Sequence, residues 1–139
     1  MHQDPIFGKL TWEDNLEWWT GQVEVAPGHT IQVALSTTEK ELETLLAQAH
    51  PLLARIRREE ADLRRATAEA LLELYNTAWN EGAVIDGARF AARITLQAVT
   101  FYTDGSAELF YDDDDLFAGH TLLVSLDTHG ALRDATLAG

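Results

Sequence analysis

Hydrophobic and polar residues alternate in two separate parts of the chain, and this alternation predicts β-strands. In the N-terminal part, Trp18–Ala26 places Trp19, Val23 and Val25 on one side, and Thr30–Leu35 returns after a Pro-Gly turn. A shorter strand is expected before them at Phe7–Trp12. Strands with one apolar side are typical of antiparallel sheets that bury one face. The C-terminal part predicts four more strands, joined by turns at 104–105 and 127–130, within residues 96–102, 107–111, 121–126 and 132–137.

Between the two groups of strands, apolar residues recur at helical spacing. Thr38 and Glu41 stand three apart and predict a capping box. Proline lacks an amide hydrogen, so Pro51 predicts that a first helix ends or kinks at His50. A second helix then runs from Pro51 to about residue 80, and Asp86 caps a third that ends near residue 94. The helical part therefore holds three predicted helices.

The predicted order is three strands, three helices and four strands, without alternation of strands and helices. It indicates an α+β fold with a mainly antiparallel sheet of about six to seven strands and with the helices packed on one face. The length of 139 residues favours a single domain over residues 1–139.

Several short patterns stand out in the second half of the chain: Leu71-Leu72, Asn76, Trp79, Phe90, Asp104-Gly105, Phe117-Ala118-Gly119-His120, Gly130 and Ala138-Gly139. Together they resemble the uncharacterised prokaryotic family called domain of unknown function 2262. They are spread over the long helix, the short helix and the C-terminal hairpins. The resemblance implies a single α+β domain and brings no activity, substrate or cofactor.

Composition narrows the classes of function. The chain has no cysteine, which excludes disulfides, thiolate metal sites and cysteine nucleophiles and suits a reducing cytoplasm. Its formal net charge is −13. Such a charge repels nucleic-acid phosphate and anionic membranes, and it attracts basic proteins. No apolar run approaches the ~20 residues of a membrane helix. We therefore expect a cytoplasmic protein with a basic protein partner, and neither nucleic acid nor membrane as a ligand.

One loop gathers acids, an aromatic residue, a glycine and a histidine. Its candidate functional residues are Asp112, Asp113, Asp114, Asp115, Phe117, Gly119 and His120. Calcium needs six to eight oxygens, but this loop lacks the glycine and glutamate positions of an EF-hand. His120 could instead act as a metal ligand or general base, oriented by Asp113 or Asp115.

A structural interpretation of the same loop competes with these. His120 shares parity with the apolar side of the strand that follows, which predicts a ring at the core rim bonded to a backbone carbonyl or carboxylate. Gly119 would allow a positive φ, and Phe117 would close the end of the sheet. The four aspartates would form a solvated connection. The sequence favours this interpretation and assigns no catalytic residue, metal or cofactor.

Trp18 has the opposite parity to Trp19. Either Trp18 lies on the second face of the sheet or a bulge turns both rings inward. An exposed tryptophan beside Glu17 and Glu24 would be an interface anchor with an acidic rim.

Three classes of function follow. The sequence favours a small acidic protein-binding module, immunity-like or regulatory, without catalysis. The alternative is a metal-binding or hydrolytic protein that uses the loop from Asp112 to His120. An uncovered second sheet face would instead indicate a homo-oligomer.

Overall fold

The computed structural model describes residues 1–138, so the terminal Gly139, which belongs to the resemblance, lies outside the described residues. One sheet holds eight strands in the order of the chain. The parity that predicted its central strands is confirmed. The strands are β1 (His2–Asp4), β2 (Gly8–Glu13), β3 (Trp18–Ala26), β4 (His29–Ser36), β5 (Thr95–Tyr102), β6 (Ala107–Asp112), β7 (Thr121–Leu126) and β8 (Leu132–Ala138).

The helices lie between β4 and β5. Helix α1 (Leu42–Leu74) continues into one π-helical turn (Tyr75–Trp79), and α2 (Gly87–Arg93) follows. This connection makes β4 and β5 parallel at the centre of the sheet, while the other neighbours pair antiparallel. The α+β class and the mainly antiparallel sheet are confirmed. The sheet has eight strands, whereas about six to seven were expected. The sequence did not reveal β1, because three residues are too few to show a periodicity.

A single core lies between α1 and one face of the sheet. Trp19, Val33, Val99 and Leu109 are buried on that face, and Leu53 is among the side chains of α1 that meet them. Burial of this apolar surface is the main term that holds the two layers together. No described helix is long and apolar enough to cross a membrane.

The predicted boundary at Pro51 is wrong, because α1 passes through it without a break. Pro51 is exposed, whereas Leu46, Ala49 and Leu53 on both sides of it are buried against the sheet. The packing of these apolar side chains of α1 against the sheet outweighs the loss of the helical hydrogen bond at Pro51, which costs about 3 kcal/mol in an unsupported helix. The first two predicted helices are therefore one, α1, which the π-helical turn extends to Trp79, and the third predicted helix is α2.

Of the two predicted helix caps, the one for α1 is wrong and the one for α2 is confirmed. Helix α1 begins after Glu41 without a side-chain cap, so the capping box of Thr38 is not formed. For α2, the Asp86 carboxylate accepts a hydrogen bond from the Arg89 amide at 2.8 Å, as predicted. This cap fixes α2 where its Phe90 enters the core.

Candidate functional site

The acidic loop between β6 and β7 folds around the carboxylate of Asp113. This side chain is only 2 % exposed. It accepts hydrogen bonds from the backbone amides of Phe117 at 2.9 Å, Gly119 at 3.0 Å and Asp115 at 3.2 Å. Three amides on one carboxylate satisfy donors that would otherwise be left unpaired inside the loop. The expectation that all four acids are solvated is therefore wrong for Asp113.

The other three aspartates are exposed. Asp114 is paired with Arg93 of α2, whose Nε donates to the carboxylate at 2.9 Å and whose guanidinium also donates to the Asp114 carbonyl at 2.7 Å. The hydrogen bond to Asp114 raises the pKa of Arg93. Asp114 and Asp115 both have positive φ, a conformation that aspartate tolerates better than most residues. This loop is a tight, internally bonded turn tied to α2.

Phe117 closes the end of the core, as the sequence predicted. Its ring is fully buried and packs edge-on against Tyr75, Trp79 and Phe90 at centroid distances of 5.7, 5.5 and 6.0 Å. Such edge-to-face pairs each add about 0.5–1.5 kcal/mol beyond burial. Gly119 has a φ of +87°, so the predicted positive φ is also present.

His120 lies half-buried beside this cluster, edge-on to Trp79 at 5.4 Å. Its Nδ1 lies 2.5 Å from the Phe117 carbonyl oxygen. A carbonyl can only accept, so Nδ1 carries the proton and, in the neutral ring, Nε2 keeps the lone pair. That tautomer suits a base or ligand. However, within residues 1–138 no group of three or more His, Asp and Glu side chains is placed to hold a metal ion.

Two further polar contacts, which the sequence analysis missed, are structural. The Asp4 carboxylate accepts from the amides of Ile6 and Phe7 and contacts His50 Nε2 at 2.9 Å, which joins the β1–β2 turn to α1. Burial raises the pKa of Asp4, but these hydrogen bonds outweigh it and hold the pKa below its ordinary value. In the sequence, only the Asp4-Pro5 turn pointed to these contacts of Asp4.

On β6, just before the loop, Tyr111 is also fully buried, and its hydroxyl donates to Glu60 of α1 at 3.1 Å. Burial, together with the Glu60 charge, raises the pKa of this phenol far above its ordinary range. The contact ties the middle of α1 to β6.

Trp18 lies on the second face of the sheet, so the first of the two alternatives is correct. Trp19 lies in the core and Trp18 does not. We call the side of the sheet opposite α1 the open face. There a groove of about 280 Å³ is lined by Trp18 on one side and Phe110 on the other, over a floor that includes Ala34, Ala98 and Thr100. The Trp18 indole Nε1 is buried and has no hydrogen-bond partner among the described residues.

An apolar stripe crosses this open face diagonally. Its residues on neighbouring strands are either directly paired or two positions along the strand from a direct pair. Its large side chains, those of Trp18, Phe110 and Leu123, are half-buried, so each keeps some accessible surface. The apolar stripe consists of Trp18 on β3, Ala34 on β4, Ala98 on β5, Phe110 on β6 and Leu123 on β7.

Acidic residues surround the apolar stripe. Charged residues whose strand position turns them to the open face are mostly carboxylates, and Lys9 is the one lysine. Arg133 lies at the bulge of β8, near Asp104 and Asp127. The open face is therefore both apolar at its centre and negative at its rim. The carboxylates are Glu13, Glu24, Glu108, Asp112 and Asp134.

Sequence reasoning found Trp18 but missed the rest of the apolar stripe. The signal was present, because Phe110 and Leu123 have the parity opposite to the buried Leu109 and Leu122. A large apolar residue on the polar parity of three separate strands indicates a second apolar surface.

The comparisons with known proteins give one match. A family profile described as "Uncharacterized protein conserved in bacteria (DUF2262)" matches residues 4–137, nearly the whole chain. No curated protein and no solved structure shows significant similarity.

Proposed function

The chain belongs to the uncharacterised bacterial family DUF2262. We propose that it is a cytoplasmic, non-catalytic binding module for a basic protein. The observation that carries this proposal is the open face, where an apolar stripe is surrounded by five carboxylates. Apolar contact supplies affinity in such surfaces, and the charge of the rim selects the partner and speeds association.

Charge also distinguishes a basic partner from a second copy of the chain. Two copies that met through their open faces would bring Glu108, Asp112 and their neighbours against the same carboxylates. Like charges brought together across an interface cost several kcal/mol. The net charge of −13 adds long-range repulsion. A positively charged partner avoids both costs.

The alternative, a metal-binding or hydrolytic protein, draws its remaining support from the tautomer of His120. Two of the four acids that would assist it are already engaged, Asp113 by three amides and Asp114 by Arg93. A carboxylate that gives up such bonds to bind a metal or substrate loses their stabilisation. The binding module is therefore the better-supported proposal.

The test is a selection of short random peptides, displayed on phage, against the immobilised chain. We expect the enriched peptides to carry net positive charge and to bind more weakly as salt rises, because their charges are screened. Peptides without a charge bias, or binding that does not respond to salt, would contradict the proposal.

A matched pair of variants locates the binding charge. The first neutralises three acids of the open face, as Glu13→Gln, Glu108→Gln and Asp134→Asn. The second neutralises three exposed acids of the helical part, as Glu69→Gln, Glu73→Gln and Glu81→Gln. Both change the net charge equally, and only the first should weaken binding strongly. Equal losses would show a nonspecific effect of net charge.

A further inference from the structure

We infer that the segment bound by the open face is a basic amphipathic α-helix that lies along the apolar stripe. This inference rests on the proposed function and specifies the shape of its partner. The apolar stripe runs from β3 to β7, which spans four strand spacings. At roughly 4.8 Å each, its length is about 20 Å, and a helix of about 13 residues covers it.

The backbone of the partner decides between a helix and an extended strand. The groove between Trp18 and Phe110 is lined mainly by apolar atoms, and its polar side chains are only Thr20, Gln32 and Thr100. An extended segment laid across it would bury amides and carbonyls that find few partners, and each unsatisfied group is costly. A helix bonds its own backbone internally and presents only side chains.

The floor of the groove fits the ridge of a helix. Ala34 and Ala98 are small and lie between the larger Trp18 and Phe110, so a partner side chain can enter between the two rings. Side chains three and four apart on a helix form one continuous ridge. Such a ridge would contact Trp18, the alanine floor and Phe110 in succession.

The carboxylates lie on both sides of this path. Glu108 and Asp112 stand two residues before and after Phe110 on β6, about 7 Å along the strand in each direction. A helix over Phe110 would therefore have a carboxylate near each of its flanks. Lysine or arginine on both sides of an apolar ridge satisfies that arrangement, and this pattern defines a basic amphipathic helix.

Two synthetic peptides of identical composition test the inference. Each has about 14 residues of leucine and lysine only, a length taken from the apolar stripe. In the first, the leucines are three and four apart, which makes one apolar side on a helix. In the second, leucine and lysine alternate, which makes one apolar side on a strand. Affinities come from titration calorimetry, and circular dichroism reports the bound conformation.

We expect the helical peptide to bind at least tenfold more tightly and to gain helical signal when bound. If the alternating peptide binds as tightly, or the helical one binds without helical signal, the inference fails while the basic partner stands. If neither peptide binds better than its glutamate analogue, in which every lysine is replaced, the proposed function itself fails.

Variants place the bound peptide. Trp18→Ala and Phe110→Ala should each weaken the helical peptide about tenfold or more, since aromatic anchors dominate such interfaces. Val84→Ala removes an apolar side chain that is 76 % exposed and lies outside the sheet, so affinity should be unchanged. Thermal unfolding confirms that each variant is folded. Equal affinity of the helical peptide for all three variants would show that it does not bind in the groove.

Discussion

Replacement of Asp113 by alanine should destabilise the protein more than any other change among the four consecutive aspartates. The side chain accepts three backbone hydrogen bonds, and its bond to the Phe117 amide is fully buried. A buried amide without a partner costs about 1–3 kcal/mol. Assigning about 2 kcal/mol to the Phe117 amide and about 1 kcal/mol each to the more accessible amides of Asp115 and Gly119 gives about 4 kcal/mol.

Asp112→Ala is the matched control for this prediction. Asp112 is the exposed last residue of β6, directly before the loop, so its replacement removes one negative charge without removing the three amide bonds. Any relief of repulsion among the aspartates is then common to both variants. The difference between them reports what the buried side chain of Asp113 contributes, of which its three hydrogen bonds are the main part.

Urea denaturation at neutral pH, followed by tryptophan fluorescence, measures this difference. With a urea dependence of about 1–3 kcal/mol per molar, a loss of about 4 kcal/mol lowers the midpoint of Asp113→Ala by about 1.3–4 M relative to the control. Asp113→Asn keeps one acceptor oxygen and should lie between them. A difference below about 1 kcal/mol would show that water replaces the carboxylate and that Asp113 does not organise the loop.

Three further changes test the packing and the titrating groups. Phe117→Ala should cost about 3–5 kcal/mol in unfolding free energy, because the fully buried ring leaves a cavity among three aromatic rings, and an unchanged unfolding midpoint would contradict this. Tyr111→Phe should cost about 1–2 kcal/mol through the lost bond to Glu60, and the absorbance titration of the wild type should show one phenol that stays protonated until the protein unfolds in alkali. The pKa of Asp4 is lowered in the folded state, so its contribution to stability is complete above the ordinary value of 3.8 and is lost as the pH falls below it. Acid titration of Asp4→Asn should therefore show a shallower loss of stability than the wild type below that pH, and parallel curves would refute the role of Asp4.

The sequence predicted the parts of the fold that rest on local periodicity. Trp18–Ala26 and Thr121–Leu126 are strands with the predicted bounds, because a period of two with one apolar side has few other solutions. The parallel pairing of β4 with β5 was not predicted, since it depends on where a long helical connection returns. The predicted break at Pro51 was wrong for a related reason, because the packing of α1 against the sheet keeps the helix continuous there.

The candidate site was predicted only in part. The loop could be recognised as unusual, but four adjacent aspartates look alike in sequence, and only the turn of the backbone decides that Asp113 is the buried one. Residues of the apolar stripe come from five strands, and their juxtaposition depends on register. Parity did reveal that Trp18 differs from Trp19, and the same reasoning applied to Phe110 and Leu123 would have outlined the apolar stripe.

The central claim is that a basic partner docks on the open face, and the indole signals of the four tryptophans test it most directly. A nitrogen-15 correlation spectrum is recorded while the helical leucine–lysine peptide is titrated into the labelled chain. If the partner docks on the open face, the Trp18 Nε1–H signal shifts and saturates with the binding curve, while that of Trp79, at the His120 end, stays in place. A shift of Trp79 with Trp18 unmoved would contradict docking on the open face and place binding at the acidic loop.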